Sequence, residues 1–200
     1  MENKELYDCL KNTWSVEAHE ISRLSDYIEF ETVADVVKTI SECSGKVIVT
    51  ACGTSAAAAK KIVHSLSVIN VSSVFLVPSD AVHGSLGIVK ENDVVIFISK
   101  GGNTAELTSY VRNVKLKKAK LIAVTENVDS LIAQNADIIL NVKIEKEPDE
   151  FNMLATASTL AVLSVFDAIC IAVIKYNHFT LDTFALNHPQ GAVGERLLHK

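Results

Sequence analysis

The segment "VVIFISKGGNTAEL" (residues 94–107) joins an apolar run to a turn of small polar residues that leads into a helical pattern. The run at 94–97 is continuous rather than alternating, which is typical of a strand covered on both faces of a sheet. Two glycines follow it closely, and glycine lets backbone N–H groups come near a ligand such as a phosphate. An ordinary tight turn can have the same composition, so the rest of the chain has to distinguish the two interpretations.

Four further apolar runs have the same character and alternate with helical patterns. The predicted strands span residues 46–51, 72–77, 93–98, 120–125 and 137–141. The predicted helices between them span residues 55–67, 103–114 and 130–135. This alternation predicts an α/β fold in which a five-stranded parallel sheet is covered by helices on both faces.

The N-terminal region is predicted to be helical. Residues 3–43 contain no proline or glycine and carry apolar residues at helical spacing. The pattern predicts two helices that break near Ser25, an acceptable N-cap. We expect one domain over residues 1–200, in which the helices of 1–43 pack on an α/β core at 44–200.

Residues 153–174 are nearly uncharged and long enough to cross a bilayer. Asp167 and several hydroxyl groups lie inside this segment, where they would disfavour insertion into lipid. We therefore expect no membrane span, but a helix buried all round, either in the core or at a contact between subunits.

The composition indicates a soluble globular protein. The chain has 200 residues, of which 48% are hydrophobic and 22% charged. A net charge of -5 without a long basic run argues against nucleic acid as a partner. The four cysteines show neither a CxxC pair nor metal-finger spacing, which predicts buried thiols in a reducing compartment and no metal site. The polar N-terminus lacks a secretory signal, so we expect a cytoplasmic protein.

Two turns at the carboxyl ends of the predicted strands are small, contain glycine and lead into helices: "CGTS" (52–55) and "SKGGNT" (99–104). Open parallel sheets bind ligands at this edge. Two helix N-termini facing one point would offer unpaired N–H groups, aligned dipoles and hydroxyl groups, which suits a phosphate monoester. Neither turn fits the motif of a nucleoside triphosphate or dinucleotide site. Simple helix caps remain the alternative.

These turns, together with "HGSLG" (83–87) and "FALNHPQGAVGERLL" (184–198), resemble the sugar isomerase (SIS) domain family, and within it the arabinose 5-phosphate isomerase group. The resemblance covers about residues 30–198. It implies a flavodoxin-like, three-layer fold that binds the phosphate of a sugar phosphate. It also implies homodimers or homotetramers whose active sites are completed by neighbouring subunits.

By this resemblance, the family's binding residues correspond to residues of the two turns. Family phosphate contacts fall on Ser55, Ser99 and Thr104. The same turns hold four further candidates for binding the phosphate or the sugar: Gly53, Thr54, Lys100 and Asn103.

The family's active-site histidines correspond to His83 and His188, and a glutamate near the end of its sheet corresponds to Glu147. Interconverting an aldose and a ketose phosphate requires ring opening and then a proton transfer between C1 and C2 through an enediol. We expect His188 to open the ring, Glu147 to transfer the proton, and His83 to orient the sugar or act as an alternative acid. No metal or redox cofactor is required. As structural alternatives, His188 could cap the chain end, His83 could serve a turn and Glu147 could lie on a solvated charged stretch.

The chain also departs from the group's pattern. The isomerases of this group usually have a lysine at the position of Thr54, a serine at that of Gly101 and a glutamate at that of Asn103. Lys100 is our candidate for the positive charge that the first turn lacks. Many members continue into CBS domains, which we do not expect in a chain that ends at Lys200.

These departures keep a second function open. A non-catalytic sugar-phosphate-binding protein, which senses or sequesters its ligand, would need no acid or base at Asn103. Another SIS chemistry, such as that of a 3-hexulose 6-phosphate isomerase or of an amino-sugar enzyme, is a third possibility.

Overall fold

The structure is a computed structural model, and it describes residues 2–190. The strands are β1 (Val47–Ala51), β2 (Ser73–Phe75), β3 (Val94–Ile98), β4 (Lys120–Thr125) and β5 (Ile138–Asn141). The helices are α1 (Asn3–Ser22), α2 (Leu24–Tyr27), α3 (Phe30–Ser41), α4 (Gly53–Val68), α5 (Pro78–Ala81), α6 (Ala105–Leu116), α7 (Leu131–Asn135), α8 (Ala157–Tyr176) and α9 (Leu181–Asn187). A short 3-10 turn at Ser85–Ile88 precedes β3.

The five strands form one sheet in the order β2-β1-β3-β4-β5, and every neighbouring pair is parallel. All five predicted strands are confirmed within one or two residues at each end. The strand order reverses between β1 and β3, which are direct neighbours in register from Val47 opposite Val94 to Ala51 opposite Ile98. The turns that follow these two strands therefore lie side by side at the switch point, where open sheets bind ligands.

Helices cover both faces of the sheet, as predicted. Ile96 and Ile98 of β3 belong to a hydrophobic cluster with residues of α3, α4 and α8. Val95 and Phe97 belong to the opposite cluster, with residues of α6 and α7. Because successive side chains of a strand point to opposite faces, a continuous apolar run is what a doubly covered strand requires.

The N-terminal helices differ from the prediction in where they break. Ser25 is not an N-cap: it lies inside the single turn α2, and its hydroxyl donates to the Ser22 carbonyl at 3.2 Å. The longer helix resumes only at Phe30, after Ile28 adopts an extended conformation. The Tyr27 hydroxyl bonds the backbone of Lys143, which ties this break to the segment after β5.

Helix α8 begins later than predicted and is only partly buried by its own chain. Its first residue is Ala157 rather than a residue near 153, because the segment before it is held by side-chain contacts described below. With a mean hydropathy of 2.2 it is long and apolar enough to cross a membrane, yet only 39% of that stretch is buried. Val165, Phe166 and Ile169 pack into the core against α3 and α4, whereas Ile171 is 57% exposed. The helix is therefore not buried all round by the described residues of its own chain, and burial of its exposed side at a contact between subunits stays a prediction.

The prediction of four buried thiols is wrong. Cys170 is buried, Cys43 and Cys52 are half-buried, and Cys9 is exposed. Cys9 lies in the first half of α1, where every residue is exposed because this part of the helix extends beyond the core.

Candidate active site

The turn after β1 presents the N-terminus of α4. Gly53 has φ +57°, a left-handed conformation that favours glycine and turns the chain from the strand into the helix. The first amide to bond back into the helix is that of Ala56, which donates to the Cys52 carbonyl at 3.2 Å. The amides of Gly53, Thr54 and Ser55 precede it, and none of them donates to another residue within 2–190. They are the unpaired N–H groups that an anion would bind.

The turn after β3 presents a second helix N-terminus beside the first. The buried Ser99 hydroxyl lies 2.8 Å from the Thr104 hydroxyl and accepts a bond from the Gly102 amide at 3.1 Å. Thr104 is the N-cap of α6, whose first backbone bond runs from the Leu107 amide to the Thr104 carbonyl. The structure thus brings Ser99 and Thr104 together, in the turn next to Ser55.

Asn103, predicted to bind the sugar, has a structural contact. Its side-chain carbonyl accepts a hydrogen bond from the Leu131 amide at 2.9 Å. The Gly102 carbonyl accepts from the Ile132 amide next to it, at 3.2 Å. These two bonds fasten the turn after β3 to the first residues of α7.

A small cavity of about 50 Å³ opens at the carboxyl ends of β3, β4 and β5. Its walls combine apolar residues from the strands and α8 with a set of polar side chains, namely Ser55, Lys100, Thr125, Glu126, Ser158 and Thr159. Two of the residues expected from the sequence, Ser55 and Lys100, therefore line one cavity. Among the residues described, no cluster of three or more His, Cys, Asp or Glu side chains is placed to hold a metal ion.

Lys100 lies between two carboxylates. Its ammonium group is 3.2 Å from Glu147 Oε1 and 3.7 Å from Glu126 Oε1. The lysine side chain is 44% exposed, whereas that of Glu147 is 1% exposed. The charge that was expected to face a phosphate is thus already opposed by two acids.

Glu147 is held by more donors than Lys100 alone. Its Oε2 accepts from the Thr156 and Ser158 amides at 3.1 and 3.3 Å, and its Oε1 accepts from the Ser158 hydroxyl. Burial raises the pKa of this carboxyl, but the bonds from Ser158, Thr156 and Lys100 outweigh burial and lower it below its ordinary value. Glu147 therefore stays ionised near neutral pH, and its contacts explain why α8 starts only at Ala157.

Glu126 is a further cavity residue, which the sequence motifs did not predict. It is the first residue after β4, and its amide donates to the Lys100 carbonyl at 3.0 Å. Burial raises the pKa of its carboxyl, against the opposing effect of Lys100. Its position at the end of a strand was the available signal, but many strand-end carboxylates point to solvent.

The two predicted histidines lie outside this cavity. His83 is exposed, in the turn between α5 and the 3-10 turn. His188 caps the C-terminal end of α9 and stacks on Phe184, with ring centroids 4.3 Å apart. Its neighbour Asn187 donates to the carbonyl of Val68, the last residue of α4.

The far end of α4 is a long way from the candidate phosphate site. A helix of 16 residues, such as α4, is about 24 Å long. His188 thus lies near the end of α4 opposite to Gly53, and it does not reach the cavity of its own chain. The rest of its motif, residues 191–198, falls outside the described residues.

Comparisons with known proteins give matches over nearly the whole chain. The SIS domain model matches residues 40–172. An arabinose 5-phosphate isomerase of Shigella flexneri is 35% identical over 188 residues, which cover 94% of this chain and 57% of that protein. The chain spans less than two thirds of the length of the curated relatives it matches.

Two solved structures are similar over their full length. One, from Listeria monocytogenes and described as a candidate sugar-phosphate isomerase, is 48% identical with a TM-score of 0.93, and the match covers 95% of this chain and 100% of that one. The other, from Escherichia coli CFT073, was solved in complex with arabinose 5-phosphate. It is 30% identical with a TM-score of 0.90, over 94% of this chain and 100% of its own.

Proposed function

The chain belongs to the SIS domain family, and from that premise we propose that it is a sugar-phosphate isomerase that interconverts an aldose phosphate and the corresponding ketose phosphate. The observation that carries the proposal is the cavity in which Ser55, Lys100 and Glu126 meet, beside the buried Glu147. An anion site and acid–base groups are the two requirements of this chemistry. Arabinose 5-phosphate is the first candidate substrate because named relatives act on it or bind it.

The phosphate is proposed to bind between the N-termini of α4 and α6. Free amides at the start of α4 and the hydroxyl groups of Ser55, Ser99 and Thr104 supply donors there. Two helix dipoles add partial positive charge at the same point. Lys100 remains our candidate for a full charge, and it would have to share that charge with Glu126 and Glu147.

Glu147 is our candidate for the base that moves the proton between C1 and C2. The lowered pKa keeps it ionised and able to accept a proton near neutral pH. Ring opening is assigned to His188 of a neighbouring subunit, since this histidine does not reach the cavity of its own chain. Homodimers or homotetramers with shared sites are part of the proposal.

Incubation with a panel of sugar phosphates in deuterated water tests the proposed function. We expect conversion of at least one pentose or hexose phosphate, with deuterium entering at C1 or C2 through an enediol. A sensor or sequestering protein would bind a member of the panel without exchange of any carbon-bound hydrogen. Asn103 favours this second function. It stands where the isomerases of the group have a glutamate, and its side chain bonds the first amide of α7.

Subunit complementation tests the assignment of His188. We expect His188→Ala and Ser55→Asp each to abolish turnover, the second because a carboxylate would repel the phosphate. Co-expression of the two variants with different tags is expected to restore turnover in mixed oligomers, where one site combines an intact Ser55 with an intact His188. Mixed oligomers as inactive as either parent would show that the histidine does not act between subunits.

A further inference from the structure

Glu126 faces the same cavity as the proposed substrate site. Its side chain is 26% exposed, its Oε1 lies 3.7 Å from the Lys100 ammonium, and its backbone is fixed by the bond to the Lys100 carbonyl. The hydroxyl of the preceding Thr125 donates to the same carbonyl at 2.9 Å, so the end of β4 is locked to the turn after β3. A carboxyl group is thus held at a defined position in the cavity wall.

The two acids beside Lys100 have different surroundings. Both oxygens of Glu147 accept hydrogen bonds from the start of α8, which favours its ionised form as the resting state and suits a base. Glu126 has one close cationic partner, Lys100, and faces the cavity. The groups that act on its carboxyl from the surrounding elements are Lys100, Glu147, Tyr27 and the amide of Ile144.

The pKa values of the two carboxyls shift in opposite directions. Burial raises the pKa of Glu126, whereas the hydrogen bonds from Ser158 and Thr156 bring that of Glu147 below its ordinary value against the effect of burial. Opposite shifts in a close pair of acids separate their roles, because one is ionised while the other retains a proton over a wider pH range.

We propose that Glu126 is a catalytic residue of this chain and moves the proton between the two substrate oxygens, O1 and O2, while Glu147 moves the proton between the two carbons. The inference rests on the proposed isomerase function. Lys100 then acts as a positioning residue that keeps the two acids apart and in place.

The proposed step balances without any further reactant. In the open-chain aldose, Glu147 removes the proton from C2 as the Glu126 carboxyl donates its proton to the carbonyl oxygen O1, which gives the enediol. Glu147 then returns its proton to C1, and the Glu126 carboxylate removes the proton from O2. The C1 carbonyl has become a C2 carbonyl, and both acids are in their starting states.

Glu126→Gln is the variant that tests this role, because it preserves size and removes the titrating proton. We expect a fall in kcat of about 100-fold, within the range for a general acid or base, while sugar-phosphate binding changes little. In deuterated water, we also expect more deuterium at C2 of the recovered aldose for each molecule of ketose that forms. The reason is that Glu147 continues to exchange the proton on carbon when the proton transfer between the two oxygens fails. The kcat of the wild type is expected to fall as the pH rises through the pKa of Glu126. The kcat of Glu126→Gln should not show this fall.

Two controls keep the result interpretable. Glu145→Gln changes a carboxylate in the segment that carries Glu147; it is 61% exposed and pairs with Arg23, so the variant should keep the wild-type kcat and pH profile. Glu126→Ala with added formate supplies the missing carboxyl in trans, and partial recovery of kcat is expected even where the substituted chain is less stable.

The outcomes separate this inference from the function on which it rests. An active wild-type chain whose Glu126→Gln variant keeps the pH profile and the exchange ratio overturns the role of Glu126 alone. Failure of formate to raise the kcat of Glu126→Ala, in a sample that melts like the wild type, does the same. A wild-type chain that neither converts nor exchanges any sugar phosphate overturns the isomerase function and the role of Glu126 with it.

Discussion

Glu147→Gln is expected to lower kcat about 1000-fold and the free energy of unfolding by about 3 kcal/mol. The side chain is 1% exposed, and its two oxygens accept from Lys100, Ser158 and Thr156. A glutamine would turn an NH₂ group toward some of these donors and leave them unpaired inside the protein. Steady-state kinetics and urea unfolding of the purified variant measure the two losses separately.

Glu150→Gln is the matched control for this prediction. Glu150 lies in the same segment but is exposed, so the free energy of unfolding should stay within about 0.5 kcal/mol of the wild type.

Lys100→Gln breaks the Glu147 contact from the other side, and it should lower kcat and also weaken sugar-phosphate binding if the ammonium faces the phosphate. A Glu147→Gln variant with wild-type kcat would remove Glu147 from the proton transfer.

The stability difference between wild type and Glu147→Gln should also depend on pH. The folded-state pKa of Glu147 is lower than that of the unfolded chain, so its carboxylate contributes fully above the unfolded value of about 4.5. This contribution is lost as pH falls through the folded-state pKa. Urea unfolding at a series of pH values should therefore show the free energies of unfolding of the two proteins approaching each other in acid. A difference that stays constant with pH would contradict the lowered pKa of Glu147.

The strands and their positions could be predicted from the sequence because each is a nearly pure apolar run bounded by polar turns. The turn at 99–104 could be placed at the ligand-binding edge for the same reason: it directly follows such a run, and carboxyl ends of parallel strands share one edge. The beginning of α8 could not be predicted, since the segment from 153 looks equally helical. Only the position of the Glu147 carboxylate shows why the helix starts at Ala157.

The side-chain partners in the site lay beyond the reach of a sequence pattern. Lys100 was interpreted as a phosphate ligand, but its nearest charges come from Glu126 and Glu147, 26 and 47 residues further along the chain. For Asn103 the sugar contact stays a prediction, and the sequence did not indicate that its side-chain carbonyl also accepts a bond from the first amide of α7. Such contacts depend on how strands and turns pack together, which local spacing does not determine.

Gly102→Ala is expected to lower the free energy of unfolding by about 3 kcal/mol and to weaken sugar-phosphate binding. Gly102 has φ +66°, a conformation that side chains with a Cβ rarely adopt. A Cβ built there would lie 1.9 Å from Ser130 Oγ and 2.4 Å from Ser130 Cβ, so the turn after β3 would have to move away from α7. The movement would carry with it the Gly102 amide that bonds Ser99, a proposed phosphate contact.

Gly101→Ala is the matched control, because a Cβ on this neighbouring glycine would meet nothing within 4 Å. We expect urea unfolding to give Gly101→Ala a stability within about 0.5 kcal/mol of the wild type, while Gly102→Ala unfolds at a clearly lower urea concentration. Equal stability of the two variants would show that the turn can shift without cost. In that case the turn after β3 would not hold Ser99 and Thr104 in place for the phosphate, and the site would form only when the ligand binds.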